Sequence, residues 1–177
     1  MFGLCFTIFD VGGVSTSRVT TGAIRNVGVV IRGWVGEMIW KGKIENFSPG
    51  EWKEDSKKVD ENLVILVDKF ATFMKKRYKG SMCIIHVAYE ERATDSQHPL
   101  GKAVDLHFVG VPLLDQFLEA TRFPFKGIGV YPFWKKPGLH LDIRDAELAA
   151  HWWRAKDGEY KYLDHTLIST MISEGIA

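Results

Sequence analysis

The chain has too little cysteine for a disulfide framework: Cys5 and Cys83 are the two in 177 residues. Neither belongs to a Cys-x-x-Cys pair, which excludes the thiolate metal sites and dithiol redox motifs built on that spacing. Cys83 sits in an apolar run and reads as a small buried hydrophobe. A run of 18 or more apolar residues is also missing, so no membrane-spanning helix is expected. Excess charge is missing as well. The 23 Lys and Arg against 22 Asp and Glu leave a net charge of +1, and no basic block is present to hold nucleic acid. The first residues lack the positive n-region of a secretory signal, and Asp10 follows the apolar stretch at once, so no signal peptide is expected. Internal repeats and low-complexity segments are absent. What is left is 46% hydrophobic and 25% charged, ordinary for a soluble globular domain. The length suits one domain with an appendage, and a monomer is expected.

Residues 1–37 are rich in Gly, Val, Ser and Thr, without the periodicity that builds a core, and read as an N-terminal extension of unknown role. The domain proper is expected over 38–177. Ser48-Pro49-Gly50-Glu51 has the form of a helix start, with Ser48 and Glu51 as a capping box. A helix is predicted over about 59–78, where Leu63, Leu66, Val67, Phe70, Phe73 and Met74 form one apolar stripe. The basic run Lys75-Lys76-Arg77 complements the dipole at its end and reads as a solvated terminus. A buried strand is expected over 82–88, a helix over about 111–122, a short strand over 127–131 and a last helix over about 164–174. Residues 146–154, with Trp152 and Trp153, read as short helix or turn. The order points to a small α+β domain, a mostly antiparallel sheet with helices on one side.

Two further strands carry the chemistry. Val104, Leu106 and Phe108 alternate with Ala103, Asp105 and His107, and Leu139, Leu141 and Ile143 alternate with His140, Asp142 and Arg144. Asp105 therefore lies on the polar face of one strand, and His140 and Asp142 share a face of the other. His98 comes from the loop before the first strand, where Gly101 permits a tight turn. Zinc takes His nitrogen and Asp oxygen at about 2 Å, and catalytic sites keep one position open. His98, Asp105 and His140 suit such a three-ligand set. Of the other histidines, His86 reads as a satisfied core residue, His107 as support for the ligands or a surface position, and His151 and His165 as surface.

The segments Ser96-x-His98-x-x-Gly101-x-Ala103-x-Asp105, then Gly127-x-Gly129-x-Tyr131-Pro132, then His140-x-Asp142-x-Arg144 resemble the zinc D-Ala-D-Ala carboxypeptidase and Hedgehog-like superfamily. The likeness is strongest to its small bacterial and phage peptidases of peptidoglycan cross-links and runs over roughly residues 45–155. It implies a Hedgehog/DD-peptidase-like fold, a zinc cofactor on His98, Asp105 and His140, and hydrolysis of stem or cross-link peptides by a carboxypeptidase or endopeptidase. A phage-encoded or exported protein of this kind would act on the cell wall after cytoplasmic synthesis, as an endolysin does. Many relatives carry an acidic residue three positions before the last zinc His, where this chain has Pro137. Asp142 is then the nearest candidate general base, with orientation of a ligand His as its other reading and Glu90 and Glu91 as fallbacks. Relatives also carry a substrate-gripping Arg where this chain has Glu90, and Arg92 is the substitute. Ser96 and Tyr131 are candidates to hydrogen-bond substrate. A contrasting reading is a zinc-containing binding or virion module that has lost catalysis, which Pro137 favours.

A chain that starts at Met38 is expected to fold and bind metal as the full chain does. Circular dichroism with metal analysis checks this, and an insoluble or metal-free product would place residues 1–37 in the core.

Overall fold

A computed structural model describes residues 42–52, 56–91 and 95–176. The extension 1–37, its boundary at Met38, and Arg92 lie outside the described residues. Within them the chain is a small α+β fold with a mostly antiparallel six-stranded sheet, as its pattern predicts. The helices are α1 (Glu61–Arg77), α2 (Leu113–Ala120) and α3 (His165–Ser173). The strands are β1 (Met82–Val87), β2 (Ala103–Val109), β3 (Gly127–Tyr131), β4 (Gly138–Asp142), β5 (Ala150–Arg154) and β6 (Tyr160–Tyr162). They lie in the order β1-β2-β4-β3-β5-β6, and β3 with β5 is the parallel pair. Among the described residues, no helix is long and apolar enough to cross a membrane.

The predicted stripe of α1 is its buried face: Leu63, Val67, Phe70 and Met74 are all fully buried. Asp60 caps the helix, its carboxylate accepting from the Asn62 backbone N–H at 2.8 Å, which satisfies one of the donors that a helix start leaves unpaired. Lys75, Lys76 and Arg77 end it. Ser48 and Glu51 form one half of the expected capping box: the Glu51 carboxylate accepts from the Ser48 backbone N–H at 2.7 Å and from its hydroxyl at 2.9 Å, while the Glu51 N–H donates to the Ser48 backbone carbonyl at 3.1 Å. What they start is a single 3-10 turn, Pro49–Trp52.

Alternation along each strand divides the sheet into two faces. Val104, Leu106 and Phe108 of β2 join Leu139 and Leu141 of β4, Ile128 and Val130 of β3 and Trp153 of β5 in one apolar cluster. The buried apolar residues of α1, α2 and α3 belong to the same cluster. Phe70 of α1 meets Phe108 edge-on at 5.2 Å between ring centroids, an arrangement that the aromatic quadrupole favours. Gln116, a buried polar side chain on α2, closes the turn after β2. It accepts from the Phe108 N–H and donates to the Phe108 and Val111 carbonyls, so no polar group is left stranded.

The segment read as short helix or turn is in part β5. Ala150, Trp152 and Arg154 alternate with His151 and Trp153, but five residues with two adjacent tryptophans are too short to separate the two periods. β6, a Tyr-Lys-Tyr edge strand, carries no sequence signal of its own.

On the second face β3 presents glycine. A Cβ at Gly127 would fall on the Asp142 carboxylate, and one at Gly129 would lie 2.6 Å from Trp152 Nε1. Gly127→Ala should therefore cost about 1–3 kcal/mol by overpacking. Gly50→Ala, with open space around it, should stay within about 0.5 kcal/mol. Urea titration of the two variants measures the difference.

Candidate metal centre

The pairing register lays Asp105, His140, Gly129, Trp152 and Tyr162 in one row across five strands. Neighbouring strands are about 4.8 Å apart, so Asp105 and His140 meet side by side. His98 reaches them from a one-turn 3-10 helix, His98–Leu100. Gly101 ends that turn in the left-handed region at φ 66°. This is the conformation that glycine adopts without steric cost, and it returns the chain into β2. The loop is pinned to its surroundings by backbone bonds from Asp60 N–H to Gly101 O at 2.9 Å and from Ile143 N–H to Lys102 O at 3.0 Å.

His98, Asp105 and His140 are all buried, and their donor atoms converge. His98 Nε2 lies 3.2 Å from Asp105 Oδ1 and 3.2 Å from His140 Nδ1, and His140 Nδ1 lies 2.9 Å from Asp105 Oδ1. Donors bound at 2.0–2.1 Å to a tetrahedral ion stand about 3.3 Å apart, so the spacing suits one small cation.

The outer ring nitrogens decide the chemistry. His98 Nδ1 is 3.1 Å from the Ala88 carbonyl, which can only accept, so Nδ1 carries the proton. His140 Nε2 is 3.2 Å from the Asp142 carboxylate and likewise donates. In the neutral rings both inner nitrogens then present lone pairs to each other and to Asp105. Three acceptors aimed at one point repel unless a proton or a metal ion lies among them. The group can hold a metal ion.

Electrostatics follow this arrangement. Burial alone would raise the Asp105 carboxyl, but hydrogen bonds from His140 and His98 outweigh it and hold the group at about 2. Burial alone would lower His140, and its bonds to Asp105 and Asp142 push it up instead. Asp142 is likewise opposed by burial and held at about 2 by Arg144 and His140.

Asp142 shares the face of His140, as its strand position predicts, yet it stands behind the ring. It is 0% exposed. Its Oδ2 meets His140 Nε2 and Arg144 Nη2, and its Oδ1 accepts from the Arg144 backbone N–H at 3.1 Å and from Arg144 Nε at 2.9 Å. The general-base position expected for Asp142 does not fit this geometry, because both oxygens are engaged on the side of the imidazole away from the converging donors. Nor do Glu90 and Glu91 line the cleft. Glu91 accepts from the Tyr89 hydroxyl at 3.2 Å and lies 3.7 Å from Lys58 Nζ.

The three donors sit in the floor of an open cleft of about 890 Å³. Ser96 and Tyr131 line it, as do Asp95, Trp134, Trp152, Arg154 and Tyr160. Ser96 Oγ accepts from the His98 backbone N–H at 3.4 Å. Tyr131 stacks on Trp134 at 4.0 Å, and its hydroxyl accepts from Trp152 Nε1 at 3.4 Å. Burial pushes the Tyr131 phenol up, so it stays protonated and able to donate. The other histidine pair, His86 and His107, stacks in parallel with Nε2 and Nδ1 2.7 Å apart.

Sequence reading missed Trp152, Arg154 and Tyr160. They depend on β5 and β6; the alternation of residues 150–154 was the one signal for Trp152 and Arg154, and Tyr160 had none. Compared with known proteins, the chain matches no family model and no curated protein sequence.

The two depressed carboxyls stabilise the fold fully above their ordinary value of 3.8, and the contribution is lost as pH falls from 3.8 towards about 2. The raised His140 stabilises fully below its ordinary 6.5 and ceases to do so as pH rises through its folded value. The chelator-treated protein should therefore be most stable between about pH 4 and 6.5. Thermal melts across pH 2–9 measure this.

Proposed function

We propose that this chain is a zinc metallopeptidase that hydrolyses peptide bonds of peptidoglycan stem or cross-link peptides. The observation that carries the reading is the His98, Asp105 and His140 cluster, with its lone pairs converging in the floor of an open cleft. The resemblance of the motifs around these residues to the D-Ala-D-Ala carboxypeptidase and Hedgehog-like superfamily supplies the substrate class. Two imidazoles and a carboxylate suit zinc by donor type. Zinc held there supplies Lewis-acid chemistry, polarising a peptide carbonyl and lowering the pKa of water towards ~7.

The roles of the side chains follow from their contacts. Asp142 acts through His140, fixing the tautomer that turns Nδ1 to the cluster, and Arg144 holds Asp142 in turn. Asp105 is a donor of the set, so Asp95 is the one other carboxylate among the described residues lining the cleft. In this reading Asp95 accepts the proton of the attacking water and returns it to the leaving amine. Tyr131, kept protonated by burial, donates to the substrate carbonyl oxygen as negative charge develops there.

Pro137 favours a second reading, a metal-containing binding or virion module without turnover. Metal analysis with digestion of purified muropeptides separates the two, since bound zinc without any cleavage is the result the module reading expects. Asp142→Asn should lower zinc affinity ~10- to 100-fold. Asp95→Asn should keep zinc and lower kcat by ~10²-fold or more. Full zinc content in His140→Ala would remove the assignment altogether.

A further inference from the structure

The wall of the cleft on the β5–β6 side holds a cation whose terminal nitrogens have no carboxylate partner among the described residues. The basic residues that line the cleft are Arg144, Arg154 and Lys161. Arg144 is occupied by Asp142. Lys161 alternates to the other face, where its Nζ lies 5.6 Å from the Trp153 ring. Arg154 is exposed on the face of the metal cluster. Its Nε donates to the Gly158 carbonyl at 3.2 Å, and its guanidinium carbon lies 5.5 Å from the Tyr160 ring. These contacts anchor one edge of the guanidinium and leave both Nη groups without a carboxylate partner among the described residues. Tyr160 is opposite Arg154 in the register, and Tyr162 is opposite Trp152, so aromatic rings flank the cation on the same wall.

We propose that Arg154, framed by Tyr160, is a carboxylate-binding subsite that selects peptides with an acidic group set back from the bond cleaved. The proposal rests on the peptidase reading and adds to it the position of a substrate charge. A guanidinium fork takes a carboxylate through two parallel hydrogen bonds. The distance is set by the sheet. β5 is two strands from β4, about 10 Å, and Arg154 is a further two residues along β5 from the row of His140, about 7 Å. The two offsets combine to about 12 Å, and because Arg154 Nε bonds Gly158 in the turn beyond β5 the side chain does not reach back towards that row, so the bound carboxylate stands at least about 12 Å from the converging donors. An extended peptide spans about 3.3–3.6 Å per residue, so the acid lies about four residues from the scissile bond. A carboxypeptidase needs its carboxylate on the residue next to that bond, which Arg154 is too far away to serve. The subsite therefore fits internal cleavage of an acidic peptide.

The test uses the zinc-loaded full chain and pairs of synthetic peptides that differ in one group, a free or amidated carboxyl four residues from the cleaved bond. Amidation should raise KM ~10-fold in the wild type. The ratio should fall to about one in Arg154→Gln and lie between in Arg154→Lys, whose ammonium lacks the fork. Zinc content measured in each variant shows whether the metal centre is intact. A wild-type ratio of one would overturn the proposal, and so would a ratio that survives in Arg154→Gln. A larger ratio when the carboxyl is moved next to the bond would overturn it too. If the wild type cleaves neither peptide, the peptidase reading fails, and calorimetric Kd values for the same pair still decide the subsite. A preference for the acid that Arg154→Gln abolishes supports it, and equal or unaltered affinities reject it.

Discussion

The fold is governed by one electrostatic constraint, the placing of a carboxylate and two imidazoles at a single buried point with their lone pairs turned inward. Asp105, His98 and His140 lie within 3.2 Å of one another. The two outer ring nitrogens are committed to Ala88 O and Asp142. Such a cluster is unfavourable on its own terms, since buried polar atoms need partners of opposite character. The rest of the site serves to hold it: Arg144 neutralises Asp142, Gly127 leaves room for the Asp142 carboxylate, and Gly101 turns the chain so that His98 arrives from above the sheet.

The hydrophobic effect supplies the rigidity that this arrangement needs. The site is built on one face of β2 and β4, and the opposite face of the same strands is packed against the helices through Val104, Leu106, Leu139 and Leu141, all 0% exposed. A residue shifted by one along either strand would exchange core and site side chains. Core packing and donor geometry are therefore set by the same register. This is also why the glycines of β3 matter: the strand lies between the His98, Asp105 and His140 cluster and the aromatic wall, and the lack of a side chain at Gly127 and Gly129 opens the floor of the cleft.

Much of this was legible in the sequence. The period-2 alternation of 103–109 and 139–144 placed Asp105, His140 and Asp142 on one face, and the stripe from Leu63 to Met74 gave α1. These signals are local, because an element that buries one face must repeat its apolar residues with its own period. The spacing of His98, Asp105 and His140 identified the donors for the same reason, each sitting at a marked position of a strand or turn.

What only the tertiary structure decided was direction and partnership. Asp142 and His140 share a strand face in sequence, but whether the carboxylate meets the cluster or the back of the imidazole depends on the ring orientation and on Arg144 drawing Asp142 away. Likewise β5 is a strand because β3 lies beside it, and β6 because β5 does. Trp152, Arg154 and Tyr160 therefore joined the cleft through non-local pairing. The sequence by itself determined which residues could serve chemistry and on which face of each element they stand, because side-chain periodicity is a property of the local backbone. The tertiary structure decided which of them meet, because strand order and side-chain orientation are settled by contacts between residues far apart in the chain.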